Sequence, residues 1–188
     1  MVRVLLLLVA WVLAGTIAFA QPARWNVDQG KSSLSYNVSI SGQSVTGKFR
    51  SFGSLINFDP ADLAHSSAKI TIDMTDQKSG DATRDAMLQK PDWFNILDFP
   101  KAVFQTTSFV WKAGALYDVH GTLTLKGVSK PIVLPLTIAI NGDTATAKGE
   151  VTLQRKDFHV GQGGQFETGK PVALAVKVMV NLTARRAK

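Results

Sequence analysis

Alternation of apolar and polar residues governs the second half of this chain. Leu134, Leu136, Ile138 and Ile140 take every second position of one run, and Val172, Leu174, Val176, Val178, Val180 and Leu182 do so in another. A period of two puts one set of side chains on a single face of an extended strand. Few stretches have a helical period, so few helices are on hand to cover those faces. The sheet must cover itself, by closing into a barrel or folding into a sandwich. The expected class is all-β with a short helix.

The same pattern sets the order of elements. Trp25 to Asp28 reads as a short opening strand that ends in a turn, and Leu34, Tyr36, Val38 and Ile40 alternate with polar residues in the first long strand. Val45 to Phe58 is extended, but its alternation fails around Ser51-Phe52-Gly53, where a bulge or bend turns a barrel corner. Asp59-Pro60-Ala61-Asp62-Leu63 suits one helical turn with Asp59 as its cap. Ala68, Ile70, Ile72 and Met74 form a further strand. Gly80 to Lys90 loses the period of two; Ala82, Ala86, Met87 and Leu88 favour helix there, with Asp81 or Thr83 as cap and Pro91 as stop. The apolar, irregular stretch Trp93 to Phe99 must pack down or face a lipid or ligand. Strands then follow over 101–111, 117–126, 129–140, 144–153 and 172–184, joined by short Gly-containing turns and one longer loop around Gly161-Gln162-Gly163-Gly164. Consecutive strands with short turns make an antiparallel meander.

The N-terminus carries an export signature. Arg3 precedes an unbroken apolar stretch from Val4 to Leu13, and Ala18-Phe19-Ala20 is a small-x-small cleavage site. The apolar run falls short of the roughly 20 residues a membrane span needs. Residues 1–20 are therefore expected to be a cleaved signal peptide and residues 21–188 a single domain. The chain has no cysteine, which excludes disulfides and thiolate metal sites; an exported protein without disulfides fits the bacterial periplasm. Its net charge is +7, including Arg3. Arg185, Arg186 and Lys188 at the tail read as a solvated terminus, or as a weak attraction to an anionic membrane surface. No basic-aromatic motif points to nucleic acid. The residues set no oligomeric state.

Strands of ten or so residues are about 33 Å long, well beyond the usual length of about 5–6 residues. About eight of them close into a barrel that can hold one small ligand. The inward sets mix large with small residues: Ala145, Ala147 and Gly149 share a face with Val151 and Leu153. Small opposite large can interdigitate into a solid core, or leave volume. Packing expectations alone favour the solid interior.

Specific residues carry a family likeness. They begin with Trp25-x-Val27-Asp28, Ser32-Ser33, and Val45-x-Gly47-x-Phe49 leading to Ile56-x-Phe58-Asp59-Pro60. Then come Thr83-Arg84-Asp85-x-x-Leu88, Asp92-Trp93-Phe94-Asn95, Phe99-Pro100 and Phe104. Tyr117-x-Val119-x-Gly121-x-Leu123-Thr124-Leu125-x-Gly127-Val128, Arg155-x-Asp157-Phe158 and Gly161-Gln162-Gly163 complete the set. In this order and spacing the mature chain resembles the YceI-like family of exported, lipid-binding proteins. Lys31 stands where the family often has His, and His159 where glycine is common. The resemblance implies an antiparallel, lipocalin-like barrel whose apolar tunnel takes a polyisoprenoid lipid, such as an isoprenoid quinone or polyprenyl derivative. It thereby reverses the preference for a solid interior. It implies no cofactor besides that lipid, and it brings in a stress-response role beside a cytochrome b561-like membrane protein as one partner reading.

Among candidate site residues, Arg84 has two readings. Its guanidinium suits a polar or diphosphate head group at the tunnel mouth; alternatively, Arg84 and Asp85 pin the helix over the barrel end. Trp93, Phe94, Phe99 and Phe104 either line the tunnel or plug it. Tyr36, Val38, Phe49, Phe52, Ile70, Ile72, Leu123, Leu134, Leu136 and Val176 complete the expected wall. His65, His120 and His159 lack metal-ligand spacing, and no nucleophile elbow occurs. A carrier is expected rather than an enzyme. The alternative is an exported enzyme acting on a lipid-like substrate in the same cavity, with His120 or Asp157 as the residues to test.

Overall fold

The computed structural model describes residues 21–188, so the expected signal peptide lies outside the described residues. The strands are β1 (Arg24–Val27), β2 (Ser33–Ile40), β3 (Gln43–Phe49), β4 (Phe52–Asn57), β5 (Ser67–Asp73), β6 (Gln77–Lys78), β7 (Lys101–Ala113), β8 (Leu116–Leu125), β9 (Val128–Asn141), β10 (Thr144–Gln154) and β11 (Val172–Arg186); the helix α1 spans Ala82–Leu88. All pairings are antiparallel, and β11 returns to pair with β1 and β2, closing the sheet.

In space these strands make eight staves. β1 and β2 are two halves of one stave, as are β3 with β4 and β5 with β6; β7 to β11 supply the other five. The result is a closed, lipocalin-like barrel of eight antiparallel strands with one short helix. Each broken stave is interrupted at the same level. The breaks are the 3₁₀ turn Gln29–Lys31, the link at Arg50-Ser51 and the 3₁₀ turn Met74–Asp76. They are stitched sideways: Gln29 Nε2 donates to Phe52 O, and Arg50 Nε and Ser51 Oγ both donate to the Asp76 carboxylate. Three neighbouring strands thus bend together, as a closing sheet requires.

One end of the barrel carries the β7–β8 and β9–β10 hairpins and both termini of the domain. The other carries the β2–β3 and β8–β9 hairpins, α1 with its following segment (79–100), and the loop from β10 to β11 (155–171). α1 starts where Asp81 caps it, its side chain accepting from the Arg84 amide. The segment Asp59–Leu63 forms turns rather than the expected helical turn. Asp59 Oδ1 accepts from the Ala61 amide, but Ser66 Oγ lies against the carbonyls of Asp59 and Asp62, so no helical hydrogen bond propagates.

Candidate functional site

The inward faces enclose a cavity of about 190 Å³. Its wall is apolar throughout except for Thr106 and Thr146. The Thr106 hydroxyl already accepts a hydrogen bond from the Ala68 amide. Small residues share the wall with large ones: Ala68, Ala102, Ala145, Ala147 and Ala184 line it together with Phe49, Phe104, Leu123 and Leu136. The lining on β10 runs from Ala145 to Leu153, about 26 Å of strand at the usual rise. Among the described residues, no buried side-chain nitrogen or oxygen lacks a hydrogen-bond partner. The cavity therefore offers dispersion and exclusion of water, and nothing to hold a polar group.

Aromatic side chains close the end that holds the termini. Trp25, Phe58, Phe109 and Tyr117 are buried there, with Phe58 packed on Phe109 and edge-on to Tyr117. Trp25 Nε1 donates to Phe58 O, which holds this floor in place.

The roof at the opposite end is organised by Arg155, only 5% exposed. Its Nε donates to Ala173 O, Nη1 to Val160 O and Gly161 O, and Nη2 to Val172 O and Phe166 O. A guanidinium has five N–H donors, and here each has a carbonyl. Burial lowers the Arg155 pKa. The same guanidinium stacks on Trp93, which meets Phe166 edge-on, while Asp92 O accepts from the amides of Gly161 and Gln162. The two roof segments are thus bolted together, and Phe94 projects from one of them into the cavity wall.

Beside the roof lies a polar cluster. The Tyr36 hydroxyl donates to Gln77 Oε1, and Gln77 Nε2 donates to Asp85 O. The Asp85 carboxylate accepts from both the amide and the hydroxyl of Ser79, and Arg84 Nε donates to that same hydroxyl. Burial raises the Tyr36 pKa to about 12, with the Asp85 charge adding to the rise. Burial also pushes the Asp85 carboxyl up, but the Ser79 hydrogen bonds and the Lys78 and Arg84 charges outweigh it, leaving the pKa lowered.

Of the residues singled out from sequence, Phe49, Phe52, Ile70, Ile72, Phe94, Phe104, Leu123, Leu134 and Leu136 meet in the cavity wall. Tyr36, Val38 and Val176 stand outside it. They share the inward faces of Leu34 and Val178, which do line it, but sit nearer the roof, where the interior is filled. Trp93 is bolted under Arg155, and Phe99 packs on Gly127 of the β8–β9 turn, where a Cβ would come within 2.8 Å of its ring. Arg84 lies on α1, bonded to Ser79 and away from the cavity. His120 is half-buried on the outward face of β8, and Asp157 is exposed. The sequence reading missed Val178, Val180 and Leu182 as wall, although they continue the alternation through Val176, and Trp25 and Phe58 as floor.

A YceI-like domain matches residues 25–184. The chain belongs to the YceI-like family. A UPF0312 protein of Vibrio parahaemolyticus is 30% identical over 150 residues, covering 75% of this chain and 79% of its own. Protein YceI of Escherichia coli O157:H7 is 33% identical over 120 residues, covering 61% of this chain and 62% of its own. Among solved structures, Burkholderia cenocepacia BcnA superposes with a TM-score of 0.80 at 32% identity, covering 84% of this chain and 99% of BcnA. A polyisoprenoid binding domain from Saccharophagus degradans superposes with a TM-score of 0.70 at 16% identity, covering 88% of this chain and 99% of that one, a likeness of fold. Relative to the YceI-like pattern, His159 has a physical signature: its φ of 54° is left-handed, the conformation glycine takes without strain.

Proposed function

We propose that this YceI-like barrel is a periplasmic carrier that holds the polyisoprenoid chain of an isoprenoid quinone or polyprenyl derivative in its cavity. The observation that carries the reading is the wall itself, long, narrow and apolar, with its two hydroxyl-bearing residues as the only interruptions. Each five-carbon isoprene unit moved from water into such a wall gains about 4 kcal/mol before ordering costs. The polyisoprenoid binding domain that shares this fold supports the same class of ligand. The wall holds no acid, base or nucleophile, and the family likeness favours binding over catalysis.

Gentle purification of the exported protein, organic extraction and mass spectrometry test the reading. The expected result is an isoprenoid species at a fixed ratio to protein, or stoichiometric uptake when polyprenyl lipid is supplied. An empty barrel that takes up none overturns it.

A further inference from the structure

The two closed ends leave open how a long tail enters. The β9–β10 seam supplies a route. Its ladder runs only from Thr144–Asn141 to Gly149–Leu136. Both strands continue: β9 stays paired to β8 up to Val128, and β10 to β11 up to Gln154. Above Gly149 they no longer pair with each other.

Chemistry explains the parting. The Ile138 amide donates to Ala115 O, on the β8 side. Alternation turns the amides at positions 131, 133 and 135 the other way, toward β10. Two of those three positions are Pro131 and Pro135, which have no amide hydrogen. The seam has therefore lost two of the three donors that β9 would contribute to zipping it. A groove occupies the gap, lined by residues of both strands and by Asp157 and Phe158. Ile132, Val151 and Leu153 line this groove and the interior cavity alike, so these apolar side chains stand between the outside and the interior.

Other routes are better secured. The roof is held by the five Arg155 hydrogen bonds and the floor by the packed aromatics. Beside β3, where β6 pairs only with Lys48 and Phe49, the Tyr36–Gln77–Asp85 hydrogen bonds bridge the gap. We infer that the unzipped upper half of the β9–β10 seam is the lateral portal through which an apolar tail passes into and out of the barrel. This rests on the carrier reading above.

Val133 and Thr152 face outward on opposite lips of the portal, and the chain has no cysteine of its own. A Val133→Cys/Thr152→Cys variant, folded and then joined by a short reducible bis-methanethiosulfonate linker, closes the portal on demand. The control is Thr137→Cys/Lys148→Cys, an exposed pair in the laddered half of the same seam. The readout is the rate of transfer of a radiolabelled polyprenyl alcohol from phosphatidylcholine vesicles, and back. Linking the portal is expected to slow uptake and release by about tenfold or more, as for a gate that limits exchange. Reduction restores both rates, and the control link changes neither. Restoring donors with Pro131→Val/Pro135→Val is expected to slow exchange in the same direction without any linker. Unchanged rates in the linked protein, with the same amount of lipid bound, overturn the portal and leave the carrier standing. Failure of the unaltered protein to take up the alcohol overturns both.

Discussion

Arg155 shows how one residue fixes an end of the barrel. A buried guanidinium without a carboxylate partner is tolerable only if its donors are met, and carbonyls of five residues between Val160 and Ala173 meet them. Lysine has three donors and no planar fork. Arg155→Lys is expected to leave at least two of these carbonyls unpaired and to cost about 3 kcal/mol. Thermal unfolding would show this as a fall in Tm of about 6–12 °C. His159 points the other way. Relief of its left-handed backbone by His159→Gly is expected to add about 1 kcal/mol, a rise in Tm of about 2–4 °C; an unchanged or lower Tm would show that the strain is offset elsewhere. The alternation of apolar residues exposes wall positions such as Leu134 and Leu136 to sequence reasoning because it depends only on strand periodicity. It says nothing of Arg155, whose partners are carbonyls of the β10–β11 loop and of the first two residues of β11, placed by backbone geometry. Tyr36, Val38 and Val176 fail as wall for a related reason: periodicity tells which face a residue is on, not how far along the barrel the filling begins.

Among the elements, α1 is held to the barrel by Asp85, 8% exposed, through Ser79 and Gln77. The folded-state pKa of Asp85 is lowered, so the charged form stabilises the fold. That contribution is present above about pH 4, where an unfolded aspartate ionises, and is lost as pH falls through the lowered value. Asp85→Asn is expected to lower stability by about 1–2 kcal/mol at neutral pH, with the gap to the unaltered protein narrowing in melts as pH falls below about 4. A gap independent of pH would mean that the carboxylate charge is not what holds α1. The strands, the helix and the corner near Ser51 follow from pattern and composition: polar-apolar alternation, Ala82 to Leu88 between Asp81 and Pro91, and the lapse of alternation before Phe52. The corner's extent does not. It spans three staves because Gln29, Arg50, Ser51 and Asp76 meet across the sheet, contacts between residues far apart in sequence.

At the scale of the whole molecule, the balance between a filled and a hollow interior turns on small residues facing large ones. Local sequence leaves both outcomes open, because volume depends on which strands end up opposite each other; likeness to the YceI-like family tips it, and the barrel encloses an apolar cavity. Leu136 lies in that wall and belongs to the last ladder pair of the portal seam. Leu136→Arg would place an unpaired charge in an apolar interior, and is expected to abolish polyprenyl uptake or folding; a soluble, folded variant with normal uptake would show that lipid does not reach this level. The most direct test is a crystal structure of the protein after exposure to a polyprenyl lipid. Continuous tubular density along Ala145 and Ala147, from the Phe58 floor toward Phe94, is expected. Side chains collapsed into that space, with no density between them, would contradict a hollow, tail-binding barrel.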